Sequence, residues 1–268
     1  MQREGTAYTL LFAAGVCGFC SILVCGAHVI FRDRQELNKR VDRQKSVLAV
    51  AGLLKEGERL SALEVEKRFG ENIVPRLVDL EKGAYAPADA VPNVDSFDQR
   101  KARDDASLGM PAPPNRAQIK RISRYAKVYF VKGEGKVELI ILPIEGKGLW
   151  STLYGFLALK ADGRTIHGIT FYEHAETPGL GGEVDNPRWK ARWEGRLAFD
   201  EKDPTRIVGV KRGPAGSAKD DPYQVDGLSG ATITSNGVTF TMEFWLGERG
   251  FGPFLGNLRT GKIPMGAP

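Results

Sequence analysis

The chain has 268 residues, 42% hydrophobic and 26% charged, which is enough for one sizeable core, or for one domain with a membrane segment and a connector. Its 38 Lys+Arg against 33 Asp+Glu leave a formal charge of only +5; the one candidate basic run, Lys120, Arg121, Arg124 and Lys127, reads as a solvated face, so no nucleic-acid partner is expected. The 3 cysteines, Cys17, Cys20 and Cys25, all lie in the N-terminal apolar stretch, which excludes a disulfide scaffold. Cys17 and Cys20 form a C-x-x-C pair, but two thiols on one turn supply only half a tetrahedral metal site and read as small packing residues.

From Gly5 to Phe31 no Asp, Glu, Lys or Arg occurs. A hydrocarbon core of about 30 Å needs about 20 helical residues, so this segment is expected to span a bilayer once. Ala13, Ala14, Gly15 and Gly18 would let a neighbouring helix approach closely. The rival, a cleaved signal peptide ending near Cys25-Gly26-Ala27, fits less well, because the apolar region is too long and Arg3 is offset by Glu4. A lipoprotein signal is disfavoured by Val24 before Cys25. Arg32, Arg34, Lys39, Arg40, Arg43 and Lys45 follow the span while only Arg3 precedes it, so flanking charge alone puts the large domain in the cytoplasm.

Three regions are expected: an anchor over residues 1–34, a helical region with an extended connector over 35–115, and an α+β domain over 116–268. Residues from Gln35 to Gly83 read as helix, with Val47, Leu48, Val50, Ala51 and Leu54 on one stripe and Leu60, Leu63, Val65, Phe69 and Val74 beyond a break. Pro87, Pro92, Pro111, Pro113 and Pro114 mark the connector, to which no chemistry is assigned. Strands are predicted at Ala126–Val131, Lys136–Ile144, Leu153–Leu159, Thr165–Tyr172 and Arg206–Val210. Helices are predicted at Asn186–Glu194 and near the end, where Val238, Thr241, Met242 and Trp245 recur at helical spacing before Gly247 and Gly250. The fold class is therefore a mostly antiparallel sheet with packed helices.

The stretch Asp226-Gly227-Leu228-Ser229-Gly230-Ala231-Thr232 runs into Ile233-Thr234-Ser235 and that last helix. Small residues allow close approach of a ligand, and a loop entering a helix N-terminus offers N–H groups and a positive dipole end to an anion. Taken alone, S-G-A-T-x-T-S before a helix is more often a hydroxyl-rich N-cap, and the residues by themselves leave both readings open. Glu173, His174 and Glu176 suggest acid–base or metal work, yet a strand end followed by Pro178-Gly179 should scatter their side chains, and no metal site is expected. Lys211 and Arg212 are candidates for phosphate contact or ordinary exposed bases.

The stretch matches the D-x-x-(S/T)-G-A-T signature of proteins flavinylated by a dedicated FMN transferase. Glu176-Thr177-Pro178-Gly179-Leu180-Gly181, Gly146-Lys147-Gly148-Leu149-Trp150 and Gly250-Phe251-Gly252-Pro253-Phe254-Leu255 are similar to other segments of the same FMN-binding domains. The similarity covers about Pro143 to Arg259 and, more loosely, the anchor. The chain thus resembles the NqrC family, the flavin-carrying periplasmic subunits of Na⁺-translocating NADH:ubiquinone reductases. The related flavoprotein of Rnf complexes shares the flavin motif, but Gly182-Glu183-Val184-Asp185-Asn186-Pro187, Trp189 and Trp193 look closer to the former.

The resemblance implies FMN held by a phosphoester bond on Thr232, with Asp226 serving the transferase reaction. It also implies Ser229, Gly230, Ala231, Thr234, Glu173, Thr177, Gly179, Leu180, Gly181, Leu149 and Trp150 around the cofactor. It implies an electron relay between an iron–sulfur centre in neighbouring membrane subunits and another covalently bound FMN elsewhere in the complex, within a bacterial inner-membrane hetero-oligomer, with the flavin domain in the periplasm. The absence of a Gly-rich Rossmann fingerprint assigns NADH to another subunit. A reading from a different class is a membrane-anchored binding or assembly module without cofactor.

Overall fold

The structure is a computed structural model that describes residues 5–55, 57–133, 135–203 and 205–266. Helix α1 (Thr6–Val50) opens the chain, and among the described residues it is the one helix long and apolar enough to cross a membrane. Its Leu10, Leu11, Phe12, Phe19 and Ile22 are all exposed. Burying one such side chain is worth about 1.5–3 kcal/mol, so a continuous sleeve of them fits a single-pass membrane anchor.

Two compact units divide between Arg43 and Gln44. The helix continues through the charged residues after Phe31, and its last turns belong to the second unit. Helix α2 (Ala62–Asn72) starts at a capping box in which the Ser61 hydroxyl accepts from the Glu64 amide and the Glu64 carboxylate accepts from the Ser61 amide. It stops at Asn72, and the chain passes straight into strand β1 (Ile73–Asp79), where a continued helix was expected. Ile73, Leu77 and Val78 are buried there, and β1 pairs antiparallel along its length with β5 (Tyr125–Gly133). Pro75 is tolerated because the other neighbour, β2 (Ala84–Tyr85), pairs only with Val78 and Asp79, leaving β1 an edge at Pro75.

The sheet is completed by β6 (Lys136–Lys147), β7 (Thr152–Lys160) and β8 (Ile166–Glu173), in the order β2-β1-β5-β6-β7-β8, with every neighbouring pair antiparallel. Alternate residues such as Val128, Phe130, Ile140, Leu142, Leu157 and Leu159 face a core shared with helices α5 (Thr232–Leu246) and α6 (Gly252–Arg259). Trp245 fixes α5 to the sheet, its indole donating to the Glu145 carbonyl at 2.7 Å. On the opposite face Phe69, Tyr129, Phe156 and Tyr172 follow one another at ring separations of 5.9, 5.8 and 5.1 Å.

The proline-rich connector is more than an extended crossing. Val91 joins Leu77 and Tyr125 in a small second core, helix α3 (Gln99–Ala102) sends Arg100 to Glu173, and Arg103 pairs with Glu145 at 2.9 Å. Strands β3 (Gly109–Pro111) and β4 (Arg121–Ser123) form a separate hairpin-like pair. The helix expected over Asn186–Glu194 is a short α4 (Pro187–Lys190) followed by a 3₁₀ turn. The strand expected over Arg206–Val210 shortens to β9 (Gly209–Val210), which pairs in parallel with β10 (Gln224–Val225).

Candidate functional site

Helix α5 begins at Thr232, and no side chain caps it. Its first intrahelical bond runs from the Ser235 amide to the Ala231 carbonyl at 2.9 Å, so the amides of the preceding turn have no partner within the helix. Thr232, Ser229 and Gly230 are exposed, whereas Ala231, Thr234 and Ser235 are buried. Thr234 and Ser235 are therefore spent internally: the Ser235 hydroxyl accepts from the Leu228 amide at 3.1 Å, and the Thr234 hydroxyl donates to Glu176 at 2.5 Å. Of the hydroxyls in S-G-A-T-x-T-S, those of Ser229 and Thr232 are presented at the surface beside the helix terminus, and neither acts as the N-cap. Gly230 turns the loop with φ +71°, a left-handed conformation that favours glycine.

Two other segments close on this terminus. The Gly148–Ser151 turn projects Leu149 and Trp150, and the loop after β8 carries Thr177 to Gly181. The amides of Leu149, Trp150 and Ser151 all donate to the Glu176 carboxylate, at 3.2, 2.9 and 3.3 Å. The Trp150 indole donates to the Thr177 hydroxyl at 3.2 Å. A Cβ on Gly181 would lie 2.5 Å from the Thr234 hydroxyl, and one on Gly230 would lie 2.9 Å from the Leu180 side chain, so all three segments are in contact. Among the described residues, Leu149, Trp150, Leu180 and Ile233 account for all but one of the exposed large hydrophobic side chains beyond α1. Concentrated there, they form an apolar rim beside an uncapped helix start, suited to a ligand with a flat apolar part and a phosphate.

Burial pushes the Glu176 carboxyl up, but the Thr234 hydroxyl and the Trp150, Leu149 and Ser151 amides outweigh it and hold it below the ordinary carboxylate value. Glu176 lies outside the set expected at the cofactor; only its neighbours in E-T-P-G-L-G were placed there. Its partners lie 25 to 58 residues away in sequence, so no local pattern marks it. Glu173, by contrast, is engaged by Arg100 at 2.6 and 2.9 Å. His174 meets Asp185 at 2.7 Å, so Glu173, His174 and Glu176 reach separate partners, as the turn after the strand implies. Asp226 accepts from the Ala215 amide at 2.8 Å and lies 3.7 Å from Arg192, and Lys211 lies 3.7 Å from Asp221.

The fold and this arrangement define an FMN-binding domain, and a family model of that description matches residues 148–247, which contain the exposed hydroxyls, the apolar rim and Glu176. Full-length relatives are more specific. The chain is 45% identical over 263 residues to the NqrC protein of the Na(+)-translocating NADH-quinone reductase of Pseudomonas aeruginosa, covering 97% of this chain and 99% of that one. It is 44% identical to the corresponding Yersinia pestis protein over 269 residues, with 99% and 97% covered. The crystal structure of Shewanella oneidensis NqrC superposes with a TM-score of 0.73 at 34% identity, over 83% of this chain and 99% of that one. The chain belongs to the NqrC family of Na(+)-translocating NADH-quinone reductase subunits, which also decides between that family and the Rnf-type flavoprotein.

Proposed function

We propose that the chain is the electron-relay subunit of a bacterial inner-membrane Na⁺-translocating NADH:quinone reductase and carries FMN on Thr232 through a phosphoester bond. The observation that carries this reading is the exposed Thr232 at the first position of an uncapped 15-residue helix. Unpaired amides and the positive end of the helix dipole favour a phosphate at that place. Ser229, Gly230 and Ala231 shape the approach, and Leu149, Trp150, Thr177, Gly179, Leu180 and Gly181 border the space for the ring. Glu173 contributes from outside this rim through its ion pair with Arg100.

FMN supplies one- and two-electron redox chemistry of its own, and the chain contributes position, electrostatics and exclusion of side reactions. Asp226, its carboxylate tied to the loop before the signature, is the feature that the FMN transferase reads. A covalent tether keeps the cofactor at high effective concentration where free FMN is scarce. Helix α1 anchors the chain by a single pass, other subunits of the complex deliver and remove electrons, and the domain lies in the periplasm, where a translocated transferase reaches Thr232. External protease added to spheroplasts is expected to digest the domain; protection would place it inside.

The decisive test is the intact mass of the full chain co-expressed with its FMN transferase. An FMN-sized adduct is expected on the wild type and is expected to be missing from Thr232→Ala. A wild type without adduct, or an adduct that survives the substitution, refutes the tether.

A further inference from the structure

We infer that Glu176 is the positioning residue that holds the apolar rim of the site in register with the first turn of α5, an inference that rests on the flavin reading above. Its side chain belongs to a residue only 5% exposed, yet none of its four donors is a charged side chain. A buried carboxylate without a cation is costly unless its acceptor sites are filled. Here they are filled, one hydroxyl and three amides meeting the about four lone-pair sites that an ionised carboxylate offers. Oε2 takes the Thr234 hydroxyl and the Leu149 amide, while Oε1 takes the amides of Trp150 and Ser151.

Each oxygen therefore ties the Gly148–Ser151 turn to the loop after β8, and Oε2 ties both to α5 two residues beyond Thr232. The base of Glu176 is itself fixed, its amide donating to His174 Nδ1 at 3.2 Å while His174 Nε2 meets Asp185. With their amides drawn inward, Leu149 and Trp150 turn their side chains outward, 42% and 65% exposed, instead of collapsing on the core. Glu176 makes no bond to Thr232, so the tether and the seating of the ring depend on different residues. A glutamine at this position keeps the shape but replaces one acceptor by an NH₂ group facing donors.

The experiment uses the full chain co-expressed with FMN transferase, as wild type, Glu176→Gln and Thr234→Val. The measurements are intact mass, visible circular dichroism, flavin fluorescence, midpoint potential, and amide hydrogen exchange at Leu149 to Ser151. All three proteins are expected to carry the adduct. In Glu176→Gln the visible circular dichroism band should be lost, fluorescence should rise to that of the FMN-modified unfolded chain, and the potential should move toward free FMN. Thr234→Val, which removes one donor of four, should shift each signal the same way by less. Wild-type flavin signals in a folded Glu176→Gln overturn the inference even if its melting temperature falls; if that variant does not fold, unchanged signals in Thr234→Val overturn it. A wild type without adduct defeats the flavin reading alone. Exchange at Leu149 to Ser151 then decides the role of Glu176: faster exchange in the variants supports it and unchanged protection refutes it.

Discussion

The indole of Trp189 donates to the main-chain carbonyl of Asp226 at 2.9 Å, fastening α4 to the first residue of the D-x-x-S-G-A-T stretch. The Asp226 side chain reaches the other way, to the Ala215 amide, so this residue is held through both its carbonyl and its carboxylate. Trp189→Phe keeps an aromatic ring and removes the donor. The expected cost is about 2–3 kcal/mol, about 1 kcal/mol for the lost hydrogen bond and the rest for the void that the smaller ring leaves beside Trp193 in the core. Urea unfolding checks it, and, on the proposed tether, FMN attachment in the same variant should be slower because Asp226 is less well held. A melt superimposable on the wild type would show that the bond does not hold the loop.

Arg196 holds the same region from beneath. It is buried, with its guanidinium donating to the carbonyls of Arg192, Asp221 and Gly216 at 2.9, 2.6 and 2.8 Å. Burial pushes its pKa down, with Asp221 and Asp226 opposing. A lysine has one compact head and cannot serve three carbonyls in the plane of a guanidinium. Arg196→Lys is therefore expected to lose about 2 kcal/mol, within the range for charge-assisted hydrogen bonds, and Arg196→Met more. Limited proteolysis should show new cleavage between Gly213 and Asp221 in both variants. An uncut loop would assign Arg196 to packing alone.

Legibility in the sequence followed the range of the interactions. Strands β5 to β8 show as short runs rich in β-branched and aromatic residues set off by glycine-containing turns, as in Ala126–Val131 and Leu153–Leu159, because that composition is local. The signature ending at Thr232 is contiguous, so its position at a loop-to-helix junction was readable too. Strand β1 was not: a helix with a capping box runs into it without a break, and Pro75 argues against a strand until the partial edge becomes visible. Glu176 was unreadable as a pin for another reason. A carboxylate that satisfies distant amides leaves no period or spacing in its own neighbourhood, and the same three residues, Glu173, His174 and Glu176, also suit a metal or acid–base set.

The Glu176 carboxyl titrates below its ordinary range, so its folded pKa lies below the unfolded one. Its contribution is then fully present above the unfolded value and is lost as pH falls through the folded value. Asp162 has the same sign: burial pushes it up, and bonds from Thr165 and Arg164 bring it lower. Glu145 runs the opposite way, raised by burial against the attraction of Arg103, and its contribution improves as pH falls. Urea unfolding at about pH 7 and about pH 3.5 should show the wild type losing stability in acid. Glu176→Gln should start lower and lose less between the two values. An equal loss in both proteins would mean that Glu176 is not the group titrating.

Two helical glycines separate the cost of a close approach from the benefit of a better helix former. Gly256 lies in α6, where an added Cβ would meet nothing within 4 Å, so Gly256→Ala is expected to stabilise by about 0.5–1 kcal/mol through the unfolded chain's lost freedom. Gly237 lies in α5, where the same Cβ would press into the Lys147 carbonyl oxygen, well inside contact distance. That contact is with backbone, which no rotamer change relieves, so α5 would be forced away from the end of β6. Gly237→Ala should therefore destabilise, by about 1–3 kcal/mol as for an overpacked core. Because Lys147 directly precedes the turn that carries Leu149 and Trp150, the strain falls on the rim of the proposed flavin site. Flavin fluorescence should rise in Gly237→Ala and stay unchanged in Gly256→Ala, with thermal unfolding giving the two opposite signs; equal signs would mean that α5 and the Lys147 turn are not in contact as described.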